Sequence, residues 1–175
     1  MVLIRPLQPG DADALYALVT DPSVTAGLLW DGPESYEEYC AGIAERAEKT
    51  RNGEVYEFAI VERASRCPMG MIGIRPYREG FRADLGIWIG TRFQGRGYGS
   101  MAIGLAAGYG FLLLGLEKLE AYIFTNNHPS RRAFEKNGFR LEGTIRRAVR
   151  KQDILHDEWV MGLLPEEFVP PEIEA

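Results

Sequence analysis

Gln94-Gly95-Arg96-Gly97-Tyr98-Gly99-Ser100 decides how this chain is read. Three glycines alternate with side chains. They sit between a strand-like run, Ala83-Asp84-Leu85-Gly86-Ile87-Trp88-Ile89-Gly90, and a helix-like segment from Ser100 to Leu114. A helix start carries unpaired backbone N–H groups and the positive end of the helix dipole. Glycine lets those amides approach an anion with no Cβ in the way, and Arg96 adds a charge-assisted contact. The turn therefore suits a pyrophosphate. Taken alone, it also reads as a tight turn whose glycines supply positive φ.

The segments on either side narrow that choice. Upstream, Val55–Glu62, Met69–Ile74 and Ala83–Gly90 read as strands. They are joined by turns at 63–68 and at Arg78-Glu79-Gly80, and such short connections imply an antiparallel meander. Before them, Val2–Leu7 reads as a strand. Asp11 is a candidate cap for a helix with Ala14, Leu15, Leu18 and Val19 on one face, ended by Asp21-Pro22. A loop with Trp30 and Gly32-Pro33 leads to Ser35, which opens a second helix carrying Tyr39, Ile43 and Ala47. Trp30 reads equally as core or as a substrate platform. Downstream, Leu119–Phe124 reads as a strand and Ser130–Lys136 as a helix stopped by Asn137-Gly138. Phe139–Val149 and the run to Leu164 read as a hairpin turning at Lys151-Gln152-Asp153. The expected organisation is one domain over 1–168 with a tail over 169–175.

Other classes fit less well. A dinucleotide-binding unit would need Gly-x-Gly-x-x-Gly, but Ser100 stands at the third glycine. It would also open on a βαβ unit rather than a meander. No Gly-Lys-Ser/Thr follows, as a nucleoside-triphosphate loop requires. Cys40 and Cys67 form no Cys-x-x-Cys pair, and His128 and His156 are the only histidines, so no metal site is expected. No signal peptide is visible, and the longest apolar stretch, Phe111–Leu114, falls far short of the ~20 residues a membrane span needs. The expected compartment is the cytoplasm. A net charge of -5 argues against non-specific nucleic-acid binding and suits a cationic substrate.

Several segments, in order, resemble the GNAT superfamily of acyl-CoA-dependent N-acetyltransferases. They are Leu3-Ile4-Arg5-Pro6-Leu7 with Asp11, the strand Asp84–Ile89, Gln94-x-x-Gly97-x-Gly99, Leu116-Glu117-Lys118-Leu119, Asn127-x-x-Ser130, and Phe134-Glu135-Lys136-x-Gly138-Phe139. Within the superfamily the chain looks most like ribosomal-protein N-terminal acetyltransferases of the RimJ/RimL type and the related spermidine acetyltransferases. The resemblance implies a mixed α/β (α+β) fold: a bent, mostly antiparallel sheet with splayed middle strands and helices on both faces. It implies acetyl-CoA as cosubstrate, no metal, and a primary amine as acceptor, with a homodimer compatible with the family. Pantetheine would pair with the backbone around Ile87, Trp88 and Ile89, and the pyrophosphate would rest on Gln94, Gly95, Arg96, Gly97, Tyr98, Gly99 and Ser100. Asn127, Ser130, Phe134 and Lys136 would border the rest of the coenzyme.

Family members transfer the acetyl group directly to the amine. The resemblance places an oxyanion-binding N–H near Ile89 and a general base at Asp84, which also reads as a solvated acid at a strand start. Asp157 and Glu158 are second candidates for the base. Many members supply the leaving thiolate's proton from a tyrosine where this chain has Phe134, and Ser130 is the substitute candidate. Glu34, Glu37, Glu38 and Glu45 would give the acceptor side an acidic rim. An acyl-CoA-binding module without catalysis stays open as the alternative.

Overall fold

The computed structural model describes residues 2–78 and 80–171. Seven strands form one sheet in the order β1-β2-β3-β4-β5-β7-β6. The strands are β1 (Val2–Pro6), β2 (Tyr56–Glu62), β3 (Pro68–Arg78), β4 (Arg82–Ile89), β5 (Lys118–Phe124), β6 (Arg140–Lys151) and β7 (Ile154–Leu163). The expected meander is present: β2, β3 and β4 pair antiparallel in sequence order. The one parallel pairing, β4 with β5, covers only Arg82↔Lys118, Ala83↔Leu119 and Asp84↔Glu120. Beyond it the two strands diverge.

The helices are α1 (Ala12–Val19), α2 (Pro22–Thr25), α3 (Tyr36–Arg51), α4 (Tyr98–Leu112) and α5 (His128–Glu135). Apolar residues alternate along the strands and split the core into two halves. Phe58, Ile60, Ile72, Ile74, Leu85 and Met161 pack towards α4 and α5. Ala59, Val61, Met71 and the partly buried Trp88 pack on the opposite face with Leu15, Tyr39 and Ile43 of α1 and α3. Ser35 caps α3 as expected: its hydroxyl accepts the Glu38 N–H at 3.1 Å. Glu37 and Glu38 lie in the first turn, and Lys49 and Arg51 in the last, as the helix dipole favours.

Four local expectations are corrected. Asp11 does not cap α1; it is buried, grips Arg5 at 2.5 and 2.8 Å, and accepts the Gln8 N–H at 2.9 Å. Asp21-Pro22 ends α1 and also starts α2. Asp21 caps it through the Ser23 N–H at 2.9 Å, and Pro22 takes the first helical position, where its missing N–H costs nothing. Helix α4 begins at Tyr98 rather than Ser100, and α5 begins at His128 rather than Ser130. Glu79 of the expected turn, and the tail from 172, lie outside the described residues. The closing hairpin turns as expected: Gln152 (φ 47°) and Asp153 (φ 62°) link the paired Lys151 and Ile154.

Candidate active site

The divergence of β4 from β5 leaves main-chain groups without a ladder partner. The Gly90 N–H donates to the Met69 carbonyl at 2.9 Å, and the register runs back through Trp88 opposite Met71. Hydrogen-bonded pairs alternate in an antiparallel ladder, so Trp88 and Gly86 turn their backbone groups to β3. Ile87 and Ile89, beyond the last pair with β5, turn theirs into the gap. On β5 the Thr125 N–H donates to the Asp157 carbonyl at 3.0 Å, which by the same alternation leaves Tyr122 and Phe124 facing the gap. Gln94 occupies one of these groups: its side-chain amide donates to the Ile89 carbonyl at 2.9 Å.

The glycine-rich turn closes one end of this gap. Gly95 (φ +74°) and Gly97 (φ +81°) are in the left-handed region, and Gly97 is the N-cap of α4. A Cβ at Gly97 would meet nothing within 4 Å, so the backbone angle, not space, calls for glycine. The Gln94 N–H is spent on the Thr91 carbonyl at 3.1 Å. From Gly95 to Ser100, six consecutive N–H groups find no acceptor among the described residues. Such a run of amides at a helix start is an anion-binding concavity. The run of unpaired N–H groups therefore starts at Gly95, one residue after Gln94.

A single cavity of about 1260 Å³ runs from this turn through the gap to the opposite face of the sheet. Asp84, Ile87, Trp88, Ile89, Gln94, Gly95, Gly97, Tyr98, Gly99, Ser100, Asn127, Ser130, Phe134 and Lys136 all line it. Arg96 does not; it is exposed beside the turn. Asn127, rather than Ser130, caps α5 by accepting the Ser130 N–H at 3.2 Å. The Ser130 side chain is thus not needed as a cap. Phe134 is 2% exposed and meets Phe139 edge-on at 5.0 Å. Asn137, which the sequence suggested only as a helix stop, binds the Ser100 carbonyl and hydroxyl at 2.9 and 3.0 Å and the Ala133 carbonyl at 2.8 Å. It thereby joins α5 to the first turn of α4.

The far end of the cavity carries most of its charge. Asp84 is paired with Arg75 across the β3–β4 ladder at 2.6 Å. Glu158, on β7 opposite Phe124, is 7% exposed and lines the cavity. Burial pushes its carboxyl above the usual carboxylate range. Asp157 is on the cavity's outside, accepting the Arg147 N–H at 2.7 Å. Of the four glutamates expected as an acidic rim, only Glu38 lines the cavity. Glu45 pairs with Lys49 on the helix surface at 2.7 Å. Glu57, paired with Arg46 at 3.3 Å, joins the wall instead, and its position in the β2 alternation was the available signal. Trp30 also faces the cavity and stacks on Tyr39 at 6.1 Å, so it serves both as cover for the core and as wall.

The sequence pattern of the acetyltransferase (GNAT) domain matches residues 2–140. The chain belongs to the GNAT acetyltransferase family. As an acetyl-CoA-dependent N-acetyltransferase it has relatives along its whole length. It is 27% identical to the uncharacterized N-acetyltransferase YoaA of Bacillus subtilis, covering 93% of each chain. It is 28% identical to the putative ribosomal N-acetyltransferase YdaF of the same organism, covering 95% of this chain and 93% of that one. Its fold matches spermidine N-acetyltransferase from Vibrio cholerae, solved in complex with CoA and spermine, at a TM-score of 0.81. There the identity is 20%, and 95% of this chain and 96% of that one are covered. No helix among the described residues is long and apolar enough to cross a membrane.

Proposed function

We propose that this N-acetyltransferase moves an acetyl group from acetyl-CoA to a primary amine, either a protein N-terminus or a small amine such as a polyamine, by direct attack within a ternary complex. One observation carries the reading: a single continuous cavity has six free amides at one end and the buried Glu158 at the other. Neither Cys40 nor Cys67 lines it.

The geometry supports the following roles. The amides of Gly95–Ser100 hold the pyrophosphate, with Lys136 nearby. The gap-facing groups of Ile87 and Ile89 pair with the pantetheine amides as an added strand would. The Ile89 N–H is aimed where the carbonyl oxygen gains charge. Glu158 takes the amine's proton, directly or through water. It ranks before Asp84 because burial raises its proton affinity toward the working pH, whereas Arg75 neutralises Asp84. Ser130 is the donor nearest in role to the missing tyrosine, and a thiolate is weakly basic enough to leave with little help.

Phe134, buried and without a proton to give, motivates the second reading: an acyl-CoA-binding module without turnover. Release of free thiol from acetyl-CoA, screened over spermine, spermidine and peptides with free N-termini, separates the two. Thiol release matched by acetylated amine supports transfer. Tight coenzyme binding with no turnover on any amine supports the module.

A further inference from the structure

Lys151 lies 121–126 residues from the segment it grips. It ends β6, and its side chain is 7% exposed. Its ammonium donates to three main-chain carbonyls: Thr25 at 3.0 Å, Leu28 at 2.7 Å and Trp30 at 3.0 Å. An ammonium has three donors, and here each has a carbonyl. Asp31 stands 3.1 Å away as counter-charge, and Lys151 lowers its carboxyl pKa. Gln152, the next residue, donates to the same Asp31 oxygen at 2.9 Å.

The gripped segment is the end of α2 and the turn after it, where the Thr25 carbonyl also accepts the Leu28 N–H at 2.9 Å. The same segment supplies Val24, Gly27, Leu28 and Trp30 to the cavity wall. Its other end is tied down near the glycine-rich turn: the Thr91 hydroxyl donates to Asp21, the cap of α2. Within that wall, Gly27 approaches Asn127 so closely that a Cβ there would lie 2.5 Å from the amide nitrogen. Lys151 also belongs to the hairpin that carries Glu158. One ammonium thus links the strand pair bearing the candidate base to the opposing wall.

We infer that Lys151 is a positioning residue for the amine acceptor. By converging three donors on the 25–30 carbonyls, it fixes the distance between the Trp30 wall and Glu158. This rests on reading that end of the cavity as the acceptor's. A nearly buried ammonium stripped of such partners is costly, and its removal leaves the part-buried Leu28 and Trp30 carbonyls without this donor, whereas the Thr25 carbonyl keeps the Leu28 N–H at 2.9 Å. Lys151→Met should therefore loosen segment 22–33 without touching the coenzyme end. Arginine keeps the charge, but its planar fork cannot aim three donors at one converging set.

The experiment compares full-length wild type, Lys151→Met, Lys151→Arg and Asp31→Asn, by amide hydrogen exchange, coenzyme A binding, and kinetics with spermine and an alanine-terminated hexapeptide. In Lys151→Met, exchange over 22–33 should quicken at least tenfold, with 94–104 unchanged and coenzyme A affinity within twofold. Whichever amine the wild type uses should show a KM raised at least tenfold, with the acetyl-CoA KM within twofold. Lys151→Arg should fall between, and Asp31→Asn should change exchange less than threefold. Unchanged exchange over 22–33 in Lys151→Met overturns the inference, as does an arginine variant equal to wild type. Should Lys151→Met not fold, the arginine variant decides by the same two readouts. Should neither amine be acetylated by wild type, that counts against the proposed acceptors, while the exchange pattern still decides for or against Lys151.

Discussion

Asp84 and Glu120 form the last parallel pair between β4 and β5, and the gap opens from there. Glu120 is 2% exposed and binds Arg82 at 2.5 Å and Lys118 at 3.1 Å. The Tyr122 hydroxyl donates to it at 3.2 Å. Partly exposed cations around a buried carboxylate therefore clamp the two strands at the point where their ladder stops. Removing one cation from a buried carboxylate is far costlier than removing a surface pair. Arg82→Met should lower stability by about 3 kcal/mol in urea denaturation, whereas Glu45→Gln, which breaks only the surface pair with Lys49, should leave the urea midpoint unchanged.

The glycine-rich turn gives a graded test. Gly97→Ala adds only the cost of a Cβ at φ +81°, since the space is open. Gly97→Asp adds a carboxylate facing the same anion. Coenzyme A affinity, measured by calorimetry, should fall by tenfold or more for the aspartate, or at least ~1.4 kcal/mol, and by less for the alanine.

Glu158 carries the pH dependence. Its carboxyl pKa is raised by burial, so the base is lost on acidification sooner than an exposed glutamate would be. The acidic limb of kcat/KM should lie above the ordinary glutamate value of ~4.3. Glu158→Gln should abolish that limb and lower kcat by ~10²–10⁴ with coenzyme affinity unchanged. Stability runs the other way. Below the unfolded pKa the carboxyl is protonated in both states and carries no penalty. As pH rises through the raised folded pKa, the buried charge costs stability. The Gln variant should therefore melt higher than wild type at neutral pH and equally at pH ~4, by calorimetry at both values.

Asn127 and Ser130 separate a cap from a proton donor. Asn127→Ala removes the N-cap of α5 and should cost ~1 kcal/mol in thermal unfolding. Ser130→Ala keeps the cap, because only the Ser130 backbone takes part in it. It should leave the melting temperature nearly unchanged while lowering kcat by ~10-fold, less than the ~10²–10⁴ common for general acid–base groups, because the thiolate is a weak base.

The fold was legible wherever short-range patterns decided it. The alternation of Phe58 and Ile60, the Ser35 cap and the short links of the meander all appear as read. Helix α2 is hidden in the sequence: Asp21-Pro22 carries both a cap and a first-turn proline, but a residue before proline equally marks the end of the preceding helix. The Gly-rich turn was placed correctly, yet the loss of the Gln94 N–H depends on a hydrogen bond to Thr91 that no spacing displays. The acidic end of the cavity was the least legible. Burial separates Glu158 from Asp157, and an ion pair from another strand neutralises Asp84. Both are products of tertiary packing.

The coenzyme should lie in the β4–β5 gap with its phosphates on the amides after Gln94. A crystal structure of the chain with coenzyme A should show pyrophosphate oxygens within ~3.2 Å of at least two N–H nitrogens between Gly95 and Ser100, and pantetheine bonded to the backbone of Ile87 or Ile89. A pyrophosphate bound away from that turn, with β4 and β5 zipped together past Asp84 and Glu120, would contradict this placement.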